Sequence, residues 1–401
     1  MERIRPGTVD CARSCLELGL SRRGGCGTPV AGPTRGREVL LDERQPGTSV
    51  ALEKLMRLED RKAEPPERGR EEPGEAAFLA SLPPASRVLQ RSLRMPGLMR
   101  GTWGRGILLR GVLAAAHHAR AVDSDRWRDP LTSAHGALRA AARRPMIDPT
   151  QVNRGPLWLA ARELQDLVRD PCLGQAAVGH ALRLAGPNTR RVGGAISHLP
   201  WPGCVWSDTP FMVSPLLARV AVDRGRQDLA REAVRQVVEH VARLVRGDGL
   251  LSHSVWPGMD WLDDRSAWAR GNGWVLASAA EVIDVLGPLA CAGVVDAART
   301  IAGRMAACQD GSGLWPVLLA ARAILCLARH GIVDGRVAEA GRAAAAAVVG
   351  CVDAEGCVRH SQGPTLWATR APPAGVWPWT QGLLLLLAAE LSRGSGAAGL
   401  W

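Results

Sequence analysis

The feature that most constrains the fold is a long succession of helical segments, separated by loops rich in Gly, Pro and Trp. Within 228–245, for example, Leu229, Ala233 and Val237 recur at helical spacing, with arginines and glutamates on the opposite face. Strand patterns are weak throughout, so the sequence predicts an all-α protein. Twelve segments are predicted to be helical: 86–95, 104–119, 130–144, 155–169, 173–185, 209–224, 226–246, 272–286, 290–308, 315–331, 334–350 and 380–393.

Twelve consecutive helices favour six helix hairpins closed into a ring, the (α/α)6 toroid or six-hairpin barrel. An α-solenoid and a pair of helix bundles stay open as alternatives, although no repeat of constant length supports a solenoid. Residues 1–85 are different, because they are rich in Pro, Gly, Arg and Glu. Such a composition buries too little apolar surface to offset the entropy of ordering it. We therefore predict a low-complexity, mostly disordered leader over 1–85 and one helical domain of catalytic type over 86–397.

Charge and cysteine content limit which binding partners and which cellular compartment are expected. The formal net charge is +11, but the arginines that carry it are scattered rather than clustered, which argues against nucleic-acid binding. The ten cysteines form no C-x-x-C pair and no zinc-like group with histidine, so free thiols in a reduced cytosol and no metal site are expected. No apolar run is long enough to span a membrane, and the N-terminus lacks a signal-peptide pattern. We therefore predict a cytoplasmic protein.

Four loop-to-helix junctions place Trp, Gly or a polar residue directly before an apolar helix, at 102–106, 205–212, 268–274 and 377–382. In a closed ring of hairpins, alternate helices begin on the same face, so these polar groups would converge on one central pocket. Tryptophan at its rim can stack on a sugar ring, and glycine allows close approach of the backbone. The structural alternative is that Asp208 is a helix N-cap and that the tryptophans fill the core.

The same junctions carry a resemblance to a known family. Residues 204–221, CVWSDTPFMVSPLLARVA, look like the W-x-D-x-x-(F/Y)-M helix start of glycoside hydrolase families 88 and 105, the unsaturated glucuronyl and rhamnogalacturonyl hydrolases. WARGNGW at 268–274 resembles their W-(A/G)-R-x-x-G-W motif, and GLLSH at 249–253 is similar to their G-L-F-x-H turn. DGSGLW at 310–315 and the helix at 382–390 resemble two further motifs, in the right order. No single motif is very specific, but the occurrence of all of them in the family's order is fairly specific.

The resemblance implies a six-hairpin ring and a particular hydrolysis. The family removes a Δ4,5-unsaturated uronic acid from the non-reducing end of an oligosaccharide made by a lyase. An aspartic acid protonates C4 of the vinyl ether, water adds at C5, and the resulting hemiketal opens and releases the aglycone. This chemistry uses no metal or cofactor, and it needs a carboxyl group with a raised pKa in a partly desolvated site. A small unsaturated oligosaccharide is the implied partner, and the sequence predicts no particular oligomeric state.

Motif by motif, the resemblance implies that Asp208 is the catalytic acid/base and that His253 is the active-site histidine. Arg270 would grip the substrate carboxylate, because a planar guanidinium suits a bidentate pair. Two alternatives stay open: His253 as a histidine of a surface turn, and Trp274 as a helix-packing side chain. The other candidates for substrate binding are Trp103, Trp268, Asn272 and Trp274.

The chain departs from the family pattern in two places. The family carries a second aspartate in a D-x-I-(N/Q)-x-G motif, where TQVNRG at 150–155 puts Thr150 instead. Asp148, two residues upstream, would reach the pocket only if the loop is rebuilt. After Trp315 the acidic, serine-rich loop of the family is missing. Two other functions therefore stand beside the enzyme: a diverged, weakly active or inactive relative that binds a carbohydrate or a partner, and a helical interaction scaffold with tryptophans in its core.

Overall fold

The computed structural model describes residues 84–94, 103–120, 128–143, 151–189, 191–199, 203–309, 318–359, 361–362 and 374–395. The predicted leader over 1–85 lies outside these ranges, apart from 84–85, which begin the first helix. The motif at 310–315 also lies outside them.

Twelve α-helices are present in the described part of the chain, one for each predicted segment. Their bounds are α1 Pro84–Arg94, α2 Trp103–Arg120, α3 Arg128–Ala142, α4 Gly155–Gln165, α5 Pro171–Ala185, α6 Thr209–Arg224, α7 Gln227–Leu244, α8 Ala269–Leu286, α9 Ala292–Ala307, α10 Leu318–Arg329, α11 Gly335–Val349 and α12 Pro378–Ser395. Short 3-10 helices lie at Val152–Arg154, Asp260–Leu262 and Pro288–Cys291. The predicted bounds differ mainly at the ends of the helices, where patterns are least decisive.

The even-numbered helices form a closed inner ring. Each of α2, α4, α6, α8, α10 and α12 packs against the next, and α12 packs against α2. The odd-numbered helices lie outside and cover the grooves between them; α7, for instance, packs on α6 and α8. This closure confirms the all-α class and the six-hairpin barrel, and it excludes the solenoid and the pair of bundles. All six inner helices therefore begin on one face of the ring.

Burial follows the position of each helix in the two rings. The outer helix α7 is amphipathic, and its apolar residues Leu229, Ala233 and Val237 are buried against the inner ring. The inner helix α8 is covered on all sides, so an uninterrupted run over 271–283 is buried. A helix that is apolar all round is the pattern expected for such a position.

Glycines allow the inner helices α2 and α12 to approach closely. A Cβ atom added to Gly111 would lie 2.4 Å from the carbonyl oxygen of Gly382, and one added to Gly382 would lie 2.4 Å from that of Ile107. Any side chain at either position would therefore push the two backbones apart. This contact closes the ring between its first and last inner helices.

The loops that the structure describes contain three antiparallel pairs of two-residue strands. They are β1 (Arg191–Val192) with β2 (Ala195–Ile196), β3 (Val205–Trp206) with β4 (Ser254–Val255), and β5 (Ser361–Gln362) with β6 (Ala374–Gly375). The β3–β4 pair joins the loop before α6 to the loop before α8, and the candidate site is built on it.

A buried charge network lies at the other end of the ring. Arg110 of α2 contacts Glu163 of α4 at 2.9 Å and Glu281 of α8 at 2.9 Å, and Arg322 of α10 contacts Glu281 at 2.5 Å. Burial raises the pKa of Glu281, but the two guanidinium groups outweigh it and hold that pKa below its usual value. The network joins four inner helices beside a cavity of about 400 Å³.

None of the described helices is both long and apolar enough to cross a membrane.

Candidate active site

Asp208 stands at the N-cap position of α6 but does not cap the helix. Its backbone is already helical, and its side chain accepts no hydrogen bond from the first turn. By contrast, Asp170 accepts one from Cys172 N at 3.0 Å, and Asp334 accepts one from Val337 N at 2.8 Å. The carboxyl of Asp208 therefore does not cap the helix, which is what an aspartate usually does at this position. This observation removes the main structural alternative for Asp208.

The β3–β4 pair brings His253 beside Asp208. Trp206 pairs with Ser254, and the backbone N–H of Ser207 donates to the carbonyl oxygen of His253 at 2.9 Å. The Ser207 hydroxyl lies 3.5 Å from an oxygen of Asp208. Residues 45 positions apart in sequence thus meet through two short strands at the start of an inner helix.

His253 is held by a buried carboxylate. Its Nδ1 lies 3.2 Å from Oδ2 of Asp264, and both side chains are at most 4% exposed. Asp264 is itself oriented by Ser266, whose backbone N–H and hydroxyl donate to Oδ1 at 3.1 and 2.5 Å. With Nδ1 engaged, the other ring nitrogen, Nε2, is buried without a hydrogen-bond partner. The ring is therefore held in one orientation behind Asp208. The placement also excludes the surface-turn alternative for His253.

Arg270 and Trp268 complete the charged side of the site. The guanidinium of Arg270 lies over the Trp268 ring, 4.1 Å from its centroid, and the Trp268 ring meets His253 edge-on at 4.7 Å. A cation stacked on an indole is held in a defined orientation. Both side chains are partly exposed, so they can reach a ligand.

The electrostatics of the site favour a protonated Asp208. Burial raises its pKa above the usual value, and the nearby charges of His253 and Arg270 offset only part of this effect. Burial likewise lowers the pKa of Arg270 to about 10, with Asp208 acting in the opposite direction. An acid whose pKa is raised, beside a fixed cation, can donate its proton to a substrate.

His198 is a site residue that the sequence did not reveal. Its ring is buried and stacked on Trp206 at a centroid distance of 4.4 Å. Nδ1 lies 3.0 Å from the Thr209 hydroxyl and Nε2 lies 3.4 Å from the Asn153 amide. Burial lowers the pKa of His198 to about 3, so the ring is neutral. No motif marked this residue, which lies eleven positions before Thr209, the first residue of α6.

Asn272 and Trp274 were predicted to contact substrate, but both side chains are buried. The Asn272 amide accepts from Leu251 N at 2.8 Å and donates to Leu251 O at 3.1 Å and Trp268 O at 3.0 Å. It is thus fully engaged in holding the turn that precedes His253, and this corrects its assignment as a substrate contact. Trp274 is 1% exposed and packs against Phe211 at 4.8 Å, so it is a helix-packing side chain and not a sugar-facing wall.

Trp103 lies at the start of α2 among other aromatic rings. Its centroid is 5.7 Å from that of Trp274 and 4.7 Å from that of Trp379. It is partly exposed, so the structure leaves its predicted contact with substrate possible. Asp148 and Thr150 lie outside the described residues. The two side chains whose charges act to lower the pKa of Asp208 are His253 and Arg270.

The His253–Asp264 pair leads to a prediction. Asp264→Asn is expected to lower kcat roughly 10- to 100-fold, less than the ~10²- to 10⁴-fold that general acid–base catalysis supplies, because the histidine remains but loses its orientation. The pH–rate profile is also expected to shift, which a purely structural role would not cause. Steady-state kinetics across pH measures both. Asp260→Asn, an exposed residue of the same loop, is the matched control. Unchanged kcat and pH profile in Asp264→Asn would show that the pair is structural only.

Comparisons with known proteins agree with this geometry. The family model described as Glycosyl Hydrolase Family 88 matches residues 89–393. No curated protein matches the chain at a significant level.

Solved structures share the fold at low sequence identity. A possible member of glycoside hydrolase family 105 from Salmonella enterica is 19% identical, with a TM-score of 0.68, covering 81% of this chain and 96% of its own. Unsaturated glucuronyl hydrolase from Bacillus sp. GL1 is 17% identical, with a TM-score of 0.63 and coverages of 82% and 98%. A family 88 glycosyl hydrolase from Bacteroides vulgatus is 16% identical, with a TM-score of 0.63 and coverages of 79% and 99%.

The ring of hairpins and the polar face at its helix starts define a six-hairpin glycosidase. Since its family model spans most of the chain, this protein belongs to Glycosyl Hydrolase Family 88.

Proposed function

We propose that this protein hydrolyses oligosaccharides that end in a Δ4,5-unsaturated uronic acid, by hydration of the vinyl ether. The observation that carries the proposal is the placement of Asp208: it leaves its helix uncapped, its pKa is raised by burial, and it lies beside His253 and Arg270. These features fit an acid that protonates carbon next to a bound carboxylate. Unsaturated glucuronyl hydrolase of Bacillus sp. GL1, with the same fold, is described as responsible for glycosaminoglycan degradation.

Each group has a role in the proposed reaction. Protonated Asp208 donates its proton to C4 of the vinyl ether, and the carboxylate that remains takes a proton from the water that adds at C5. The positive charge of Arg270 holds the carboxylate of the uronic acid, since a guanidinium and a carboxylate can form two parallel hydrogen bonds. His253, fixed by Asp264, is buried beside Asp208, where it acts on the carboxyl through its charge and not through contact with the sugar. The hemiketal that forms then opens and releases the aglycone.

The surroundings of the site agree with this assignment of roles. Trp206, two residues before Asp208, is buried and stacked on His198, which anchors the strand that leads into α6. A partly water-excluded site strengthens the attraction between a substrate carboxylate and Arg270. The stack of Arg270 on Trp268 limits the rotation of the guanidinium, so less entropy is lost when it binds.

The remaining assignments belong to the same proposal. We place the catalytic domain at 86–397 and a leader at 1–85. We also propose a cytoplasmic location; the seven cysteines of the described residues are all free thiols, which supports a reducing compartment.

A second candidate function is a diverged relative that binds an unsaturated sugar and turns it over slowly or not at all. It is favoured by Thr150, which stands where the family motif has an acid, because a threonine cannot supply a negative charge to tune Asp208.

A panel of disaccharides tests both functions. The enzyme is incubated with unsaturated digalacturonide, unsaturated glycosaminoglycan disaccharides and unsaturated rhamnogalacturonan disaccharide, each paired with its saturated counterpart. Release of the aglycone from at least one unsaturated member, and from no saturated member, is expected. Binding by calorimetry without release would favour the diverged relative. If folded protein neither binds nor cleaves any of the disaccharides, the proposal is rejected. The disaccharide that is cleaved would identify the preferred uronide.

A further inference from the structure

Three potential metal ligands converge at the end of the ring opposite the candidate active site. They are a carboxylate oxygen of Asp284 on α8, the thiol of Cys326 and an imidazole nitrogen of His330 on and just after α10. All three atoms lie within 4.8 Å of one another, and His330 Nε2 is 3.0 Å from Asp284 Oδ1. We propose that these residues form a binding site for Zn²⁺.

The ligand set and its spacing suit zinc. Cys326 and His330 are four positions apart, so their side chains point to the same side of α10. Sulfur, imidazole nitrogen and carboxylate oxygen are the three kinds of ligand that Zn²⁺ takes in proteins. With zinc–ligand bonds of about 2.0–2.3 Å in a tetrahedron, the ligand atoms lie about 3.5 Å apart. The widest separation here must therefore contract by about 1 Å, which a change of side-chain torsions provides. A water would take the fourth position.

A cation already occupies the gap between two of the ligands. The guanidinium of Arg329 lies 3.0 Å from Asp284 Oδ1 and 3.5 Å from the sulfur of Cys326, and its Nε contacts Glu390 at 2.9 Å. Asp284 thus already pairs with cations, since Arg393 also lies 3.8 Å from its Oδ2, and zinc would have to displace Arg329. Since Arg329 is about one third exposed, its side chain can turn outward when zinc enters. The negative ends of the inner helices lie on this face and favour a cation as well.

Zinc binding would replace the thiol proton of Cys326. Burial raises the pKa of this thiol to about 12, so it is neutral without a metal. On binding, the sulfur–zinc bond forms, the S–H bond breaks, and the proton leaves to solvent. Nothing is oxidised or reduced in the exchange.

The site is separate from the proposed catalytic chemistry. Arg270 and Asp284 lie at opposite ends of α8, fourteen residues and about 21 Å apart. Zinc here would join α8 to α10, two neighbours in the inner ring, and would stabilise the ring rather than act on substrate. The inference does not depend on the proposed function.

Cobalt spectroscopy tests the site, because Co²⁺ bound to a thiolate gives a charge-transfer band in the near ultraviolet. Full-length protein, stripped with a chelator and free of any purification tag, is titrated with Co²⁺ and then with Zn²⁺. We expect one Co²⁺ per chain, the thiolate band, and its loss on adding one equivalent of Zn²⁺. Cys326→Ser should remove the band, and His330→Gln should weaken Co²⁺ binding at least tenfold. Cys308→Ser, at an exposed cysteine after α9, is the matched control and should change neither.

A fourth variant separates this site from nonspecific metal binding at scattered surface groups. Arg329→Gln removes the competing cation and should tighten Co²⁺ binding several-fold. His330 is near the surface, so its variant keeps the test informative if Cys326→Ser does not fold. Absence of a saturable band in the wild type, or a band that survives in Cys326→Ser, would overturn the inference.

Discussion

Asp208→Asn is expected to lower kcat on an unsaturated disaccharide by roughly 10³-fold or more. An amide of nearly the same shape can still contact the substrate, but it has no acidic proton to give to C4, and general acid catalysis is lost. KM should change little, because Arg270 and Trp268 are untouched. Asp228→Asn, an exposed aspartate at the start of α7, is the matched control and should retain full activity. Retention of more than a tenth of the wild-type kcat by Asp208→Asn would exclude Asp208 as the acid.

The same variant is expected to be more stable than the wild type at neutral pH. Because the pKa of Asp208 is raised in the folded protein, the folded state holds its proton while the unfolded state has already lost it. The stability of the wild type therefore falls as pH rises from the usual aspartate pKa of about 4 towards the raised value, and then levels off. Asparagine has no ionisable proton, so the variant does not lose stability in this way as the pH rises. Thermal melting curves from pH 4 to pH 8 should show a gap between variant and wild type that widens with pH. A difference in melting temperature that stays constant with pH, or that favours the wild type, would show that burial does not raise the pKa of Asp208.

Glu281→Gln is expected to lower the free energy of unfolding by about 3–5 kcal/mol, the range found when one partner of a buried ion pair is removed. Arg110 is 4% exposed, and the change would leave its guanidinium with Glu163 alone, while Arg322 would lose its carboxylate partner. The damage is structural, since this network lies at the end of the ring away from Asp208. Urea denaturation followed by circular dichroism measures the loss.

Glu239→Gln is the matched control for Glu281. Glu239 pairs with Arg243 one turn away on α7, where both side chains are partly exposed, so its change should cost less than about 1 kcal/mol. Folded Glu281→Gln should keep its kcat at low temperature. A cost below 1 kcal/mol for Glu281→Gln would show that the buried network contributes little to the stability of the ring.

The architecture was largely predictable because its signal is local. Periodicity in several segments, together with alanine-rich stretches and loops rich in Gly, Pro and Trp, located twelve helices, and that count with matching motifs indicated a closed ring. Asp208, His253 and Arg270 could be named from motifs, and their convergence followed from the ring, but the way in which His253 is brought to Asp208 could not be predicted. It depends on β3 and β4, two strands of two residues each, and so short a segment has no recognisable pattern.

Other features were hidden because they depend on partners distant in sequence. Asp260, Asp263 and Asp264 share one loop, and nothing in its pattern shows that only Asp264 turns towards His253. Asn272 looked like a substrate contact because it lies in a motif, but its amide binds a backbone turn 21 residues upstream. The residues proposed to bind zinc were hidden for the same reason: Asp284 approaches Cys326 and His330 only through the packing of α8 against α10.

The measurement that tests the proposed reaction most directly follows two signals at once, the absorbance of the vinyl ether and the number of reducing ends, while wild-type protein acts on an unsaturated disaccharide. Hydration of the double bond predicts that the absorbance falls as one equivalent of aglycone is released. Direct cleavage of the glycosidic bond would instead release the aglycone before the absorbance falls, because the vinyl ether would then be lost only when the released sugar opens. That order of events, or no change in either signal with folded protein, would contradict the role proposed for Asp208.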